Sequence, residues 1–214
     1  MLNPATVRRR RRPPTARRVR LPDGARISIR PIRAADAEAF ERAYARLSHR
    51  SRERRYLSLS PELRPADVRY LTSVDQYEHV ALVALDHSRE ILGSARYIRI
   101  PAGPSVAEMA IEVIDDWQRR GVGRALLQAL SRHAQDAGVA RFVAIVSMEN
   151  VPMQRIMACA GASSQKVDGE LEYTVDAGAL SPGDRRRQPG STRSPGAAQG
   201  FHFSLGQTPG KLSL

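Results

Sequence analysis

The sequence predicts a mixed α/β fold with one folded domain between two basic ends. Short apolar stretches of strand length alternate along the chain with amphipathic stretches of helical spacing, which is typical of a sheet covered by helices. The chain has 214 residues and 42% hydrophobic content, enough for one core but not for two. The excess positive charge lies at the two ends, so the region between them is electrically balanced.

The elements follow in a regular order. The polar turn at residues 86–89 joins two apolar runs as a hairpin, and Pro31 ends the pairing of the first strand. Gly138 and Gly161 end two helices. The predicted strands are residues 27–33, 79–85, 91–100, 106–114, 141–147 and 170–175, and the predicted helices are residues 35–47, 54–59 with 65–72, 124–137 and 150–160.

The net charge of +12 does not describe the folded region. Residues 1–20 hold eight arginines and no acid, and residues 181–214 carry a net charge of +4, which leaves zero for residues 21–180. We therefore expect disordered tails at residues 1–25 and 177–214 around a domain at residues 26–176. The tails are either solvated appendages or segments that contact polyanions without sequence specificity. No aromatic side chains interleave with the N-terminal arginines, so the stacking surface of a single-strand nucleic-acid binder is absent.

Several classes of protein are excluded. No run approaches 18 consecutive apolar residues, and no secretory apolar region follows the N-terminal arginines, so we expect no membrane association and a cytoplasmic location. Cys159 is the single cysteine and is expected to be a small core residue. The five histidines are dispersed, which predicts no metal site.

The most informative segment is residues 111–125, IEVIDDWQRRGVGRA. A strand runs into a glycine-containing turn, and a helix follows. Glycines let the backbone approach an anion, and the free N–H groups of a first helical turn point at it. No Lys-Ser/Thr pair follows, as a P-loop requires, and Leu126 stands where a Rossmann fingerprint has its third glycine. The predicted phosphate-binding residues are Gln118, Arg119, Arg120, Gly121, Val122, Gly123 and Arg124.

This turn resembles the Q/R-x-x-G-x-G/A pyrophosphate loop of the GNAT superfamily of N-acetyltransferases. The group most similar to this chain is the acetyltransferase domain of bacterial protein-lysine acetyltransferases. The motifs that carry the resemblance are Arg30-Pro31-Ile32-Arg33, Ala107-Glu108-Met109-Ala110, Asp115-Asp116-Trp117-Gln118 with Arg120-Gly121, and Glu149-Asn150 with Met153. The resemblance implies a mostly antiparallel mixed sheet of six or seven strands, helices on both faces, and fourth and fifth strands that splay apart to admit acetyl-CoA.

The resemblance also implies roles for single residues. Glu108 corresponds to the general base, and Glu112 is its rival because it has the same strand parity; either carboxylate could instead be paired with an arginine. Val113 stands where backbone groups pair with the pantetheine arm and steady the oxyanion. Asn150 corresponds to an asparagine that binds the cofactor, and it is also a candidate helix N-cap.

Two positions depart from the family pattern. Arg119 stands where many relatives have glycine, and Met157 stands where many have the tyrosine that serves as general acid. A thiol leaving group with a pKa of about 8.5 needs little acid assistance, so the absence of that tyrosine is compatible with catalysis.

The function implied is transfer of an acetyl or other short acyl group from its CoA thioester to a primary amine. The preferred acceptor is a protein lysine, on the resemblance alone. A small-molecule amine acceptor and a non-catalytic acyl-CoA sensor stay open as alternatives, as do a monomer and a homodimer.

Overall fold

The structure, a computed structural model, describes residues 15–57, 62–101, 103 and 105–181. Eight strands form one sheet in the order β1-β2-β3-β4-β5-β6-β8-β7. The strands are β1 (Arg17–Arg20), β2 (Arg26–Pro31), β3 (His79–Leu85), β4 (Ile91–Arg99), β5 (Val106–Val113), β6 (Arg141–Val146), β7 (Ser163–Val167) and β8 (Glu170–Asp176). The helices are α1 (Ala37–Ala45), α2 (His49–Tyr56), α3 (Pro65–Thr72), α4 (Val122–Asp136) and α5 (Val151–Cys159).

The sheet has the predicted mixed topology. Neighbouring strands are antiparallel except for β5 and β6, which are parallel. That parallel pairing joins only three residue pairs, from Val106 opposite Arg141 to Glu108 opposite Val143. Beyond them the two strands separate, which confirms the predicted splay; counted from β1, the splayed strands are the fifth and sixth.

Helices cover both faces of the sheet. On one face Tyr97 of β4 bonds to His133 of α4 at 3.0 Å. On the other, the neighbouring residue Arg96 donates to the carbonyl of Leu71 in α3 at 3.2 Å and lies over the ring of Phe40 in α1. The core fills the space between these layers and the sheet, and its largest fully buried side chains include Tyr56, Tyr97, Phe142, Leu126, Leu130 and Met157.

Strands β1 and β7 were not predicted from the sequence, and β1 corrects the predicted N-terminal boundary of the domain. Strand β1 (RRVR) lies within the segment assigned to the basic tail, yet it pairs along its length with β2. Strand β7 (SSQKV) pairs with β8 at the other edge. Edge strands are commonly polar or charged. Neither β1 nor β7 therefore has the alternation of apolar residues on which the prediction of strands depended.

The C-terminal boundary also moves outward. Ala177 and Leu180 are buried in a short 3-10 turn that packs against α4, so the domain continues past residue 176. The rest of the predicted tails, residues 1–14 and 182–214, lies outside the described residues.

The helical passage before α3 begins earlier than predicted. Helix α2 starts at His49 because Ser48 caps it, accepting a hydrogen bond from the Ser51 N–H at 3.2 Å. Leu57 adopts a left-handed conformation and ends the helix; residues 58 and 59 of the predicted element lie outside the described residues. The prediction that Cys159 is a core residue is wrong: it is exposed at the end of α5, and Met157 fills the core instead.

Within the described part of the chain, every helix is too short or too polar to cross a lipid bilayer.

Candidate functional site

The opening between β5 and β6 exposes backbone hydrogen-bonding groups. The N–H of Ile114 donates to the carbonyl of Leu92 in β4 at 3.0 Å. Because successive residues of a strand direct their backbone groups to opposite sides, those of Val113 point away from β4 and into the opening. The Val113 carbonyl accepts a hydrogen bond from the Gln118 side chain at 3.0 Å. Its N–H is thus oriented toward a partner that enters the opening.

The loop after β5 ends in an anion-binding geometry. Gly121 is the N-cap of α4 and has a left-handed φ of 98°, which a residue with a Cβ adopts only with strain. Since glycine has no side chain to cap the helix, the first N–H groups of α4, from Val122 onward, lack an intrahelical partner. The helix dipole adds a partial positive charge at the same point.

Arg119 departs from the family glycine at a position whose backbone favours glycine. Its φ is 59°, in the left-handed region that costs a non-glycine residue about 1 kcal/mol or more. Its side chain and that of Arg124 are exposed, and neither makes an ion pair with any other described residue. These two guanidinium groups are therefore available for the phosphates of a ligand.

Arg120 makes two contacts that the sequence did not predict, and its role in phosphate binding stays a prediction. Its Nε lies 2.7 Å from a carboxylate oxygen of Asp23, in the turn between β1 and β2, and its guanidinium stacks on the Trp117 ring at 3.9 Å from the centroid. On the same side, a Cβ built on Gly121 would come within 2.9 Å of Pro22. The β1–β2 turn therefore packs against the loop between β5 and α4, and Arg120 holds the two together.

Gly123 lies one residue into α4, over β5. A Cβ at this position would lie 3.6 Å from Ile111 and 3.6 Å from Val113, an ordinary van der Waals distance. The protein itself therefore tolerates a side chain here. Internal packing therefore does not require glycine here, and the predicted close approach of a ligand stays a prediction.

Asn150 is the predicted N-cap of α5, and its predicted role in cofactor binding is compatible with that contact. Its Oδ1 accepts a hydrogen bond from the Met153 N–H at 3.3 Å and so caps α5. An asparagine side chain also carries an NH₂ donor, so the cap leaves Nδ2 for a ligand.

Glu108 lies at the last residue pair before β5 and β6 separate. No described residue forms a hydrogen bond or an ion pair with its carboxylate. Burial raises the pKa of Glu108 from 4.5 to about 7, Arg55 opposes that rise, and Glu172 adds to it. A carboxyl group with this pKa is present in both protonation states near neutral pH, as a general base requires.

Glu112, the rival, is fully engaged with other side chains. Tyr56 donates to one of its oxygens at 2.9 Å, and Ser94 donates to the other at 2.7 Å. The Nε of Arg55 lies 3.4 Å from the carboxylate, and both of these side chains are only 8% exposed. This is the ion-paired arrangement that the sequence left open, and it anchors α2 to β5.

The buried side chain of Arg96 lies between Glu108 and Glu112 on the sheet face that α1–α3 cover. Arg96 is opposite Ala110 in the register, and its side chain is buried with Nε and Nη2 unbonded in the described structure. Burial lowers the pKa of Arg96 to about 10, and Glu112 opposes the effect. Burial and the neighbouring Arg96 lower the pKa of His79 to about 3, so His79 stays neutral.

The N-terminus of helix α2 is held to the loop between β5 and α4. Ser48 and Ser51 both donate to the carboxylate of Asp115, at 2.8 Å and 2.9 Å, and Gln118 also donates to Ser51. The sequence contained Asp115 within a motif, but its partners are more than 60 residues away and no local pattern predicts them. These contacts hold the start of α2 against the loop that follows β5.

Among the described residues, no three histidine, cysteine, aspartate or glutamate side chains come together as an ion-binding group.

Comparison with known proteins bears on the family of this chain. Residues 39–161 match the model of the acetyltransferase (GNAT) family. The chain is 33% identical to Acetyltransferase Pat of Mycolicibacterium smegmatis over 135 residues, which are 63% of this chain and 40% of Pat. It is 30% identical to an acetyltransferase of Pseudomonas aeruginosa over 150 residues, which are 68% of this chain and 80% of that protein.

Solved structures give the same result. The GNAT domain of S. lividans PAT superposes with a TM-score of 0.71 and 32% identity, over 75% of this chain and 96% of that domain. A cAMP-binding acyltransferase from Mycobacterium smegmatis superposes with a TM-score of 0.57 and 27% identity, over 80% of this chain and 50% of the other. The chain therefore corresponds to only part of Pat and of the cAMP-binding acyltransferase.

Proposed function

Since this chain belongs to the GNAT acetyltransferase family, we propose that it transfers an acetyl group from acetyl-CoA to a primary amine, and that the amine is a protein lysine. The observation that carries the proposal is Glu108, an unpaired and partly buried carboxyl group at the point where β5 and β6 separate. The lysine acceptor is supported by the sequence motifs shared with protein-lysine acetyltransferases and by the similarity to Pat.

The residues around the opening fit acetyl-CoA. The pyrophosphate would be held by the first N–H groups of α4 and by Arg119 and Arg124, with Gly123 allowing close approach. The pantetheine arm would lie along the exposed edge of β5 at Val113, with Asn150 on the other side of the opening. When bound, acetyl-CoA supplies an activated acyl group on a good thiol leaving group.

The chain's own contribution to the reaction is proton transfer. An alkylammonium with a pKa of about 10.4 must lose a proton before its nitrogen can attack a carbonyl. Glu108 accepts that proton, and its raised pKa makes the transfer less uphill than it would be for an ordinary glutamate. The N–H of Val113 points into the opening, where it can donate to a carbonyl oxygen that gains negative charge.

The test is to incubate the protein with radiolabelled acetyl-CoA and a cell extract and to identify the labelled product. Label on the ε-amino groups of proteins, strongly reduced with Glu108→Gln, is the expected result. Label on small molecules alone would replace the lysine acceptor by a small amine. Binding of acetyl-CoA without any labelled product would leave the sensor as the remaining candidate and contradict the proposal.

A further inference from the structure

We propose that Glu172 of β8 binds the acceptor amine, and that it does so together with Glu108 across an open patch of the sheet. The proposal rests on the proposed acetyl transfer and adds a specificity-determining residue to it. The patch, called here the acceptor floor, consists of Val143, Ile145 and Thr174.

The sheet register brings these residues onto one face. Glu108 is opposite Val143 in β6, Val143 is opposite Thr174 in β8, and Ile145 is opposite Glu172. Paired residues of adjacent strands direct their side chains to the same face of a sheet. The two glutamates therefore flank β6 on one face, with two strand spacings of roughly 5 Å each between their strands.

The exposure pattern marks this face as accessible. In β6 the side chains on the other face, Phe142, Ala144 and Val146, are buried. Val143 and Ile145, which alternate with them, are only partly buried, and so is Thr174. An apolar surface that is left partly open beside a candidate base can pack against the methylene groups of a long aliphatic side chain.

Glu172 is built to hold a charge at the border of this floor. Its side chain is buried, with only 6% of the residue exposed. Gln165 of β7 donates to its Oε1 at 2.7 Å and orients the carboxylate. Isolated charges are costly to bury, so a carboxylate with one neutral donor is a strong attractant for a cation beside it.

An alkylammonium group matches these features. Its methylene chain would lie on Val143 and Ile145, and its NH₃⁺ group, with three donors, would bond to both carboxylates. Glu172 holds the cationic form in place, and Glu108 then accepts one proton from the nitrogen. An acceptor that is neutral before binding, such as a hydroxyl compound, would leave Glu172 without a cationic partner and bind weakly.

The electrostatic influence of Glu172 on Glu108 gives the proposal a distinctive signature. The groups that interact electrostatically with Glu108 are Arg55 of α2, Tyr70 of α3 and Glu172 of β8, and Arg96 of β4 is diagonal to it in the register. Arg55 lowers the pKa of Glu108, whereas Glu172 raises it. Removal of the negative charge at residue 172 must therefore move the alkaline rise of activity to lower pH.

The experiment measures steady-state acetylation of n-butylamine, which reproduces the lysine side chain, between pH 5.5 and 9. Glu172→Gln keeps the size of the side chain and an oxygen that can accept from Gln165. We expect the KM for n-butylamine to rise about tenfold or more and kcat on the alkaline plateau to change little. The pH at which activity reaches half of its plateau value should fall. The matched control is Glu41→Gln, which removes an exposed carboxylate on α1 and should change none of these values.

A second variant guards against misfolding of the first. Gln165→Lys places a cation beside an intact Glu172, and it should also raise the KM for n-butylamine. An unchanged KM in folded Glu172→Gln, or, where that protein does not fold, an unchanged KM in Gln165→Lys, would refute the role of Glu172. Failure of the unsubstituted protein to acetylate any amine would contradict the proposed function as well, which separates the two failures.

Discussion

Substitution of Glu108 by glutamine should stabilise the protein while it inactivates the enzyme. Burial raises the pKa of Glu108 from 4.5 to about 7 in the folded state. A group whose pKa is raised on folding contributes stability that is fully present below the lower value and is lost as the pH rises through the higher one. Above pH 7 the folded protein therefore carries an ionised, partly desolvated carboxylate that costs about 3 kcal/mol relative to an ordinary one.

Glutamine has the same size and no charge, so it avoids that cost. The free energy of unfolding of Glu108→Gln should exceed that of the unsubstituted protein by about 3 kcal/mol at pH 8 and by less than about 1 kcal/mol at pH 5. At pH 8 the melting temperature should rise by roughly 6–10 °C for a domain of this size. Urea unfolding at the two pH values measures the difference, and Glu41→Gln is the control.

The same variant tests the base. We expect kcat to fall by about 10²–10⁴ with acetyl-CoA affinity nearly intact, and the rise of activity near pH 7 to disappear. The residual activity should increase toward high pH, where more of the amine is already neutral. If Glu108→Gln gains the same stability at pH 5 and pH 8, or none at either, the carboxylate does not lie in the desolvating environment assigned to it, and the argument for its basicity fails.

Three further predictions follow from the contacts. Glu112→Gln should lower the free energy of unfolding by about 3 kcal/mol, since it leaves a buried guanidinium unpaired, while the folded enzyme keeps its pH profile; loss of that profile would make Glu112 the base. Gly121→Ala should lower the melting temperature through strain, whereas Gly123→Val should stay folded and lose at least about tenfold in acetyl-CoA affinity by calorimetry. Deletion of residues 1–14 and 182–214 should leave fold and turnover intact and abolish any salt-sensitive binding to nucleic acid, as gel-shift assays at two salt concentrations can determine.

The boundaries chosen for this deletion differ from those that the sequence predicts. The charge distribution alone places the N-terminal boundary at residue 25, and a truncation there would remove β1 and the turn that contains Asp23. Asp23 lies 97 residues from Arg120 in the sequence, and only the fold brings them to 2.7 Å. Arginines near a glycine-containing turn indicate phosphate binding. Which of these arginines are free to bind phosphate depends on acidic residues, such as Asp23, that the fold brings from distant parts of the sequence.

The candidate base illustrates the opposite case. Glu108 could be predicted because a strand residue at a motif position has its face fixed by the alternation of the strand. The same alternation makes Glu112 eligible as well, and only the resemblance to the acetyltransferase family favoured Glu108. The choice depends on Tyr56, Ser94 and Arg55, which come from a helix and a neighbouring strand and occupy Glu112 alone.

The residues of strand β5 point in three directions. Its even-numbered side chains, including Glu108, lie on the sheet face that α1–α3 cover, whereas Ile111 and Val113 face α4 near Gly123. Its free backbone edge faces the opening. Continued pairing with β6 beyond Glu108 would consume the backbone groups of the odd-numbered residues and close the space beside the base. In the proposed reaction, the early end of this three-residue parallel ladder leaves the space in which a thioester and an amine would meet.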